Sequence, residues 1–134
     1  MTLEQNLQKF CNLRTDKNRK RWSDITKNQA PHKPFLLLSV IDLFAQGEIT
    51  ENFIEPSFEL VDTFNIYWAS IMPLGSKGNM AYPFPRLHND KIWELIPVPG
   101  YENRINIESI FSMAKLRKVC TGSKFDEDLF KLMS

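Results

Sequence analysis

Residues able to do chemistry are sparse in this 134-residue chain, which has two histidines and two cysteines. Metal-dependent phosphodiester cleavage needs two or three carboxylates, or paired histidines with an asparagine, converging on one ion. His88, Asn89 and Asp90 are consecutive, so their side chains point in different directions, and His32 lies far away in sequence. The His-Asn-Asp run reads as a turn, the conformation that Asn and Asp favour. Cys11 and Cys120 form no CxxC pair and neither has a histidine beside it, so metal binding and thiol nucleophilicity find no pattern here. GxSxG is missing, and the GSKG at 75–78 lacks the spacing of a phosphate-binding loop. The residues therefore predict no catalytic constellation, no metal and no cofactor.

The residues suited to binding are better organised. Between Arg14 and Lys33 stand seven basic residues, Arg14, Lys17, Arg19, Lys20, Arg21, Lys27 and Lys33, against Asp16 and Asp24. The overall net charge is +1, so this local surplus of five leaves the rest of the chain at −4. Such segregation reads either as a surface that meets a polyanion or as a solvated basic loop. The loop ends in APHKPFLLL, residues 30–38, where Pro31 and Pro34 fix their own φ and push Ala30 and Lys33 towards extended backbone. Pro34 suits the first turn of a helix, so His32 and Lys33 are expected at a helix N-terminus, a natural anion site. A second cluster, Tyr82-Pro83-Phe84-Pro85-Arg86, mixes a cation with ring faces. A nonbridging phosphate oxygen wants donors and would be poorly satisfied among such rings, whereas a larger, weakly hydrated atom would fit. Each residue also has a plain structural reading: Tyr82 and Phe84 as core aromatics, the prolines as protection of an edge strand, and His32 as a hydrogen-bonding partner inside the fold.

The elements that must position these groups follow from periodicity. Leu3, Leu7, Phe10 and Cys11 predict an amphipathic helix capped by Thr2, followed by the basic loop carrying Trp22. From Pro34 an almost wholly apolar run predicts a buried helix ending at Gly47. Pro56 opens a second helix whose inward residues are expected to be Phe58, Val61, Phe64, Tyr67 or Trp68, and Ile71. Residues 73–100 hold three of the five glycines and five of the eight prolines, which excludes a long helix. Phe84 to Leu87 and Ile92 to Ile96 flank the turn and predict a β-hairpin, with Pro85 confining its strand to an edge. Two further helical patterns cover Ile107 to Lys118 and Phe125 to Met133, the latter capped by Ser123 or Asp126, and Trp68 and Trp93 fall in the core. The expected fold is α+β, a mostly helical single domain over 1–134 with a small β-hairpin. Without a leader pattern or a membrane-length apolar run, a soluble cytoplasmic protein is expected.

APHKPFLLL, followed about fifty residues later by YPFPRLHNDKIWEL, resembles the sulphur-binding domain found ahead of HNH nuclease domains in modification-dependent (type IV) restriction enzymes of bacteria. The resemblance spans about Leu3 to Met133. It implies double-stranded DNA carrying an Rp phosphorothioate as the partner, and an HNH nuclease domain in cis or trans. Carried over by position, the sulphur and phosphate pocket would use His32, Lys33, Tyr82 and Pro83, with Lys33 on the modified phosphate. Arg86 is carried into the same pocket, at a position where a small residue can line the cavity, with an outward turn to another phosphate as the other reading of it. Arg14, Lys17, Arg19, Lys20, Arg21 and Lys27 would contact the DNA backbone. Two other functions fit the same residues: a general DNA-binding module that does not read sulphur, and a protein-interaction domain with an incidental basic loop.

Overall fold

The computed structural model describes residues 32–72 and 78–133. The helix expected from Leu3 to Cys11 and the basic residues Arg14, Lys17, Arg19, Lys20, Arg21 and Lys27 lie outside the described residues. Two fourteen-residue helices lead the described chain, α1 (His32–Ala45) and α2 (Phe58–Ile71). A single helical turn α3 (Pro83–Arg86), strand β1 (Trp93–Pro97), a 3-10 turn (Ile107–Ser109), α4 (Met113–Val119), strand β2 (Cys120–Phe125) and α5 (Glu127–Met133) complete it. The class is α+β, helical in the main with a small antiparallel sheet.

Local chemistry sets most boundaries. α1 is apolar almost throughout and buries Phe35, Leu36, Leu37, Val40 and Leu43; it ends ahead of Gly47, whose φ of 79° favours a residue without Cβ. The Ser39 hydroxyl, fully buried, donates to the Phe35 carbonyl at 2.7 Å and so costs little inside this helix. Ser57 caps α2 by accepting from the Leu60 amide at 3.2 Å, one residue beyond the proline expected to open it. Ser112 caps α4 in the same way through Lys115, and Asp126 accepts from the Asp128 amide at the start of α5.

The inward stripe of α2 runs through Leu60, Phe64 and Trp68. Phe58 and Ile71, expected inside, are 74% and 39% exposed. Both stripes contain Phe64 and fit a 3.6-residue period, and Phe58 sits in the first turn, where the Arg117 guanidinium covers its ring at 4.8 Å.

The hairpin is not formed. Pro83 and Pro85 occupy the first turn of α3 instead, where a missing N–H forfeits no intrahelical bond. The turn winds on through 88–90 and closes with Lys91 at φ 58°, the Ile92 amide reaching back to the Leu87 carbonyl at 3.2 Å and Lys91 to His88 at 3.0 Å, a Schellman closure. β1 then pairs with the distant β2, Trp93 opposite Phe125 and Ile96 opposite Gly122, with an irregularity between Ile96 and Pro97. Residues 120–125, which fall between the two expected helical patterns and include the first residue of the second, Phe125, are strand. Between 107 and 118 only the 3-10 turn and α4 are helical.

The other edge of β2 is met by Ile54, which exchanges two backbone hydrogen bonds with Ser123 at 2.8 and 2.9 Å. Gly122 is required there, because a Cβ would lie 2.7 Å from the Ile54 carbonyl oxygen and 2.9 Å from the Phe53 ring. Asn52 extends the pairing with its side chain: its Nδ2 donates to the Phe125 carbonyl at 2.9 Å and its Oδ1 accepts from the Phe125 amide at 2.8 Å. Asn52→Ala removes both partners from Phe125 and is expected to destabilise the fold by about 1 to 3 kcal/mol, measured by denaturant unfolding. A loss below about 0.5 kcal/mol, the scale of ordinary surface substitutions, would mean that the amide does not hold this edge.

Candidate functional site

The two sequence clusters meet at the start of α1. His32 opens that helix, and its ring centroid lies 5.3 Å from that of Tyr82, the residue leading into α3. Trp68, near the end of α2, closes a third side at 4.8 Å from His32. The rings meet at tilts of 48° and 57°, geometries that aromatic quadrupoles favour. Pro83 follows Tyr82 and is buried. Three ring systems from three elements thus converge beside the first turn of α1, which contains no acidic residue.

Trp68 is fixed from behind. Phe35 meets it edge-on at 6.0 Å and Phe64 at 6.1 Å, and Gly78 presses directly on the indole: a Cβ there would stand 2.6 Å from Cδ2 and 2.7 Å from Cε3. The sequence placed Trp68 in the core, where it is 4% exposed, but not against His32. The available signal was its place in the last turn of the helix that next follows α1 in the chain, since consecutive elements tend to be spatial neighbours. α1 and α2 are also joined by the Tyr67 hydroxyl, which donates to the Asp42 carboxylate. That hydrogen bond, before any desolvation, raises the Tyr67 phenol above its ordinary pKa.

Tyr82 is held by Arg86. The guanidinium lies 4.3 Å from the Tyr82 centroid and 4.9 Å from that of Phe111. Its Nη1 donates to the Tyr82 and Ile110 carbonyls at 3.0 and 2.9 Å, and its Nη2 to the Glu108 carbonyl at 3.5 Å. Arg86 is 6% exposed; the expectation that it turns outward to a phosphate is overturned, because these carbonyls and rings satisfy its charge inside the fold. It braces Tyr82 and ties the 3-10 segment to the site. Behind it, the buried Trp93 indole donates to the Phe84 carbonyl at 2.9 Å, which fixes α3 to the sheet.

Lys33 also points inward. Its Nζ lies 2.5 Å from Asp90 Oδ2, and the two side chains are 8% and 3% exposed. The expected phosphate ligand is thus already paired with a carboxylate from the turn that follows the second cluster. Successive helix residues project about 100° apart, so α1 sends His32 to the ring cluster, the aromatic cup of the reading below, and Lys33 to Asp90. His88, beside this turn, is exposed.

Cys120 is buried, and its Sγ donates to the Gly122 carbonyl at 3.0 Å; desolvation pushes the thiol pKa up, the reverse of an activated nucleophile. Among the described residues no three His, Cys, Asp or Glu are placed to hold a metal ion, and no helix is long and apolar enough to cross a membrane. A separate groove of about 330 Å³ is lined by Glu48, Glu51, Glu55 and Glu59 together with Ile49, Thr50 and Phe53.

No protein-family model matches the chain, and no curated protein matches it.

Gly78→Ala drives a methyl group into the Trp68 indole and is expected to cost about 1 to 3 kcal/mol, the scale of overpacking in a filled core. Denaturant unfolding gives the loss, and near-ultraviolet circular dichroism reports the displaced indole. Unchanged stability and spectrum would mean that Trp68 is not clamped at this point.

Proposed function

We propose that this chain binds double-stranded DNA carrying an Rp phosphorothioate, seating the sulphur against the rings of His32, Trp68, Tyr82 and Pro83. One observation carries the reading: His32 and Tyr82, fifty residues apart in sequence, stand 5.3 Å apart at the start of a helix. Sulphur is larger and more weakly hydrated than oxygen, so ring faces offer it dispersion contacts where oxygen would lose its water without replacement. Bracing makes the discrimination possible. Tyr82 is held by Arg86 and Trp68 by Gly78, so the walls do not close around the smaller atom or open to let water in. The basic residues of 14–27 supply affinity without sequence preference by displacing counterions from phosphates. The glutamate-lined groove would repel a polyanion and is not the DNA contact in this reading. In this reading the chain recognises and does not cut; an HNH nuclease domain, in cis or in trans, performs cleavage in a type IV restriction system acting in the bacterial cytoplasm.

The test compares one duplex in three forms, Rp, Sp and unmodified, by fluorescence anisotropy. The parent protein is expected to prefer Rp and to bind Sp no better than unmodified DNA, because the Sp sulphur points away from the rings. Tyr82→Ala should reduce the Rp preference by about 1 to 3 kcal/mol, as in other large-to-small changes at buried sites, and leave weak salt-dependent binding. Neutralising Arg19, Lys20 and Arg21 together should weaken all three duplexes alike and flatten the salt slope by up to about 0.9 log unit for each phosphate that is no longer neutralised. Equal binding of the three duplexes by the parent would replace the sulphur reading with plain DNA binding.

A further inference from the structure

The proposed site carries a carboxylate that a DNA-binding surface would ordinarily avoid. The Asp90 side chain is buried, its Oδ2 2.5 Å from Lys33 Nζ, and Lys33 adjoins His32, whose ring belongs to the aromatic cup. A lysine in the first turn of a helix, next to a phosphate site, would by itself be an ordinary oxygen ligand. We propose that Asp90 is a specificity-determining residue: by holding the Lys33 ammonium it withholds a hydrogen-bond donor from a nonbridging oxygen, so that an unmodified phosphate finds the cup unsatisfying and sulphur does not. This inference rests on the sulphur reading above and assigns it a second component beside the shape of the rings.

The chemistry follows from what each atom asks of its surroundings. A charged N–H donor forms a short, strong bond to anionic oxygen, whereas sulphur accepts hydrogen bonds weakly. Released from Asp90, the flexible four-carbon stem of Lys33 would let its ammonium swing from the inward position to the neighbouring rings, where it would help oxygen more than sulphur and erode the preference. Pairing with a buried carboxylate prevents this at close range, because two opposite charges 2.5 Å apart out of solvent present little net field to a third group. The turn that carries Asp90 is itself fixed: Lys91 closes it at φ 58° and Ile92 bonds back to Leu87, so the carboxylate has little freedom to swing away when an anion arrives.

Asp90→Asn, which keeps the shape and removes the charge, is the primary test, read as Kd for Rp and unmodified duplexes over a range of salt. The unmodified duplex should gain about tenfold, on the scale of one added charge contact, and the Rp duplex less, so that the Rp preference falls. The salt slope for unmodified DNA should steepen by about 0.9, one more phosphate neutralised. A purely structural carboxylate would move neither the preference nor the slope and would lower both affinities together; that result overturns the inference. Lys33→Met with Asp90→Asn removes the donor along with its keeper and should restore the Rp preference, even where Asp90→Asn alone fails to fold. Loss of preference in this double variant, with its near-ultraviolet spectrum intact, also overturns the inference. Absence of an Rp preference in the parent protein removes the sulphur reading itself and the role of Asp90 with it, whereas a normal parent with an unresponsive Asp90→Asn variant removes the role of Asp90 alone.

Discussion

The buried ion pair between Lys33 and Asp90 joins the two halves on which the rest of the arrangement depends. It links the first turn of α1 to the turn after α3, 57 residues later. Two charges withdrawn from water to this extent are held only because each answers the other. Removing either partner alone strands a buried charge, a change that costs about 3 to 5 kcal/mol in comparable settings. The pair ties α1, which carries His32, to the turn that follows Tyr82 and α3. Apolar packing also brings these elements together, but it is non-directional, whereas the ion pair joins two particular side chains.

Around that joint the molecule uses cations as internal fasteners. Arg86 stacks on Tyr82 and Phe111 while donating to three carbonyls, and Arg117 covers Phe58 while its Nε donates to the Pro56 carbonyl at 3.0 Å. In both cases a planar guanidinium serves an aromatic face and a backbone acceptor together, which an ammonium cannot do. Three of the basic residues among those described are thus committed to the fold. Basic character in the sequence was therefore an unreliable guide to surface: Lys33 and Arg86 look like phosphate ligands by type and neighbourhood, and both are turned inward.

What the sequence made legible was what local pattern controls. α1 follows from an apolar run closed by Gly47, and α2 from a 3.6-residue stripe behind Ser57, although the phase of that stripe was ambiguous because Phe64 belongs to both candidates. The convergence of the two motif clusters was legible only as a likeness between stretches far apart, and no single-sequence spacing places His32 beside Tyr82. The hairpin was misread because Pro83 and Pro85 are as compatible with the first turn of a helix as with an edge strand. β2 was missed because its partners, Trp93 to Pro97 on one side and Ile54 on the other, are remote in sequence. The Cys120–Phe125 segment, with Thr121, Gly122 and Ser123, is poor in helix formers, a local sign of the strand that the surrounding helical periodicity obscured. The Lys33–Asp90 pair had no local sign at all: opposite charges 57 positions apart are one combination among many.

The Asn52 amide has a consequence for how the domain can be joined to others. Strand edges are templates: an extended segment from another chain adds to them through backbone hydrogen bonds, whatever its side chains. The outer edge of β2 offers no such vacancy from Ser123 to Phe125, since Ile54 pairs with the first and a side-chain amide imitates a peptide group for the last. Asn52 therefore acts as a chain terminator for the sheet, ending its growth at that edge without contributing another strand. A neighbouring domain or a second copy must dock on this molecule through side-chain surfaces rather than by zippering onto that end of β2, which favours contacts chosen by chemistry over contacts that any extended chain could make.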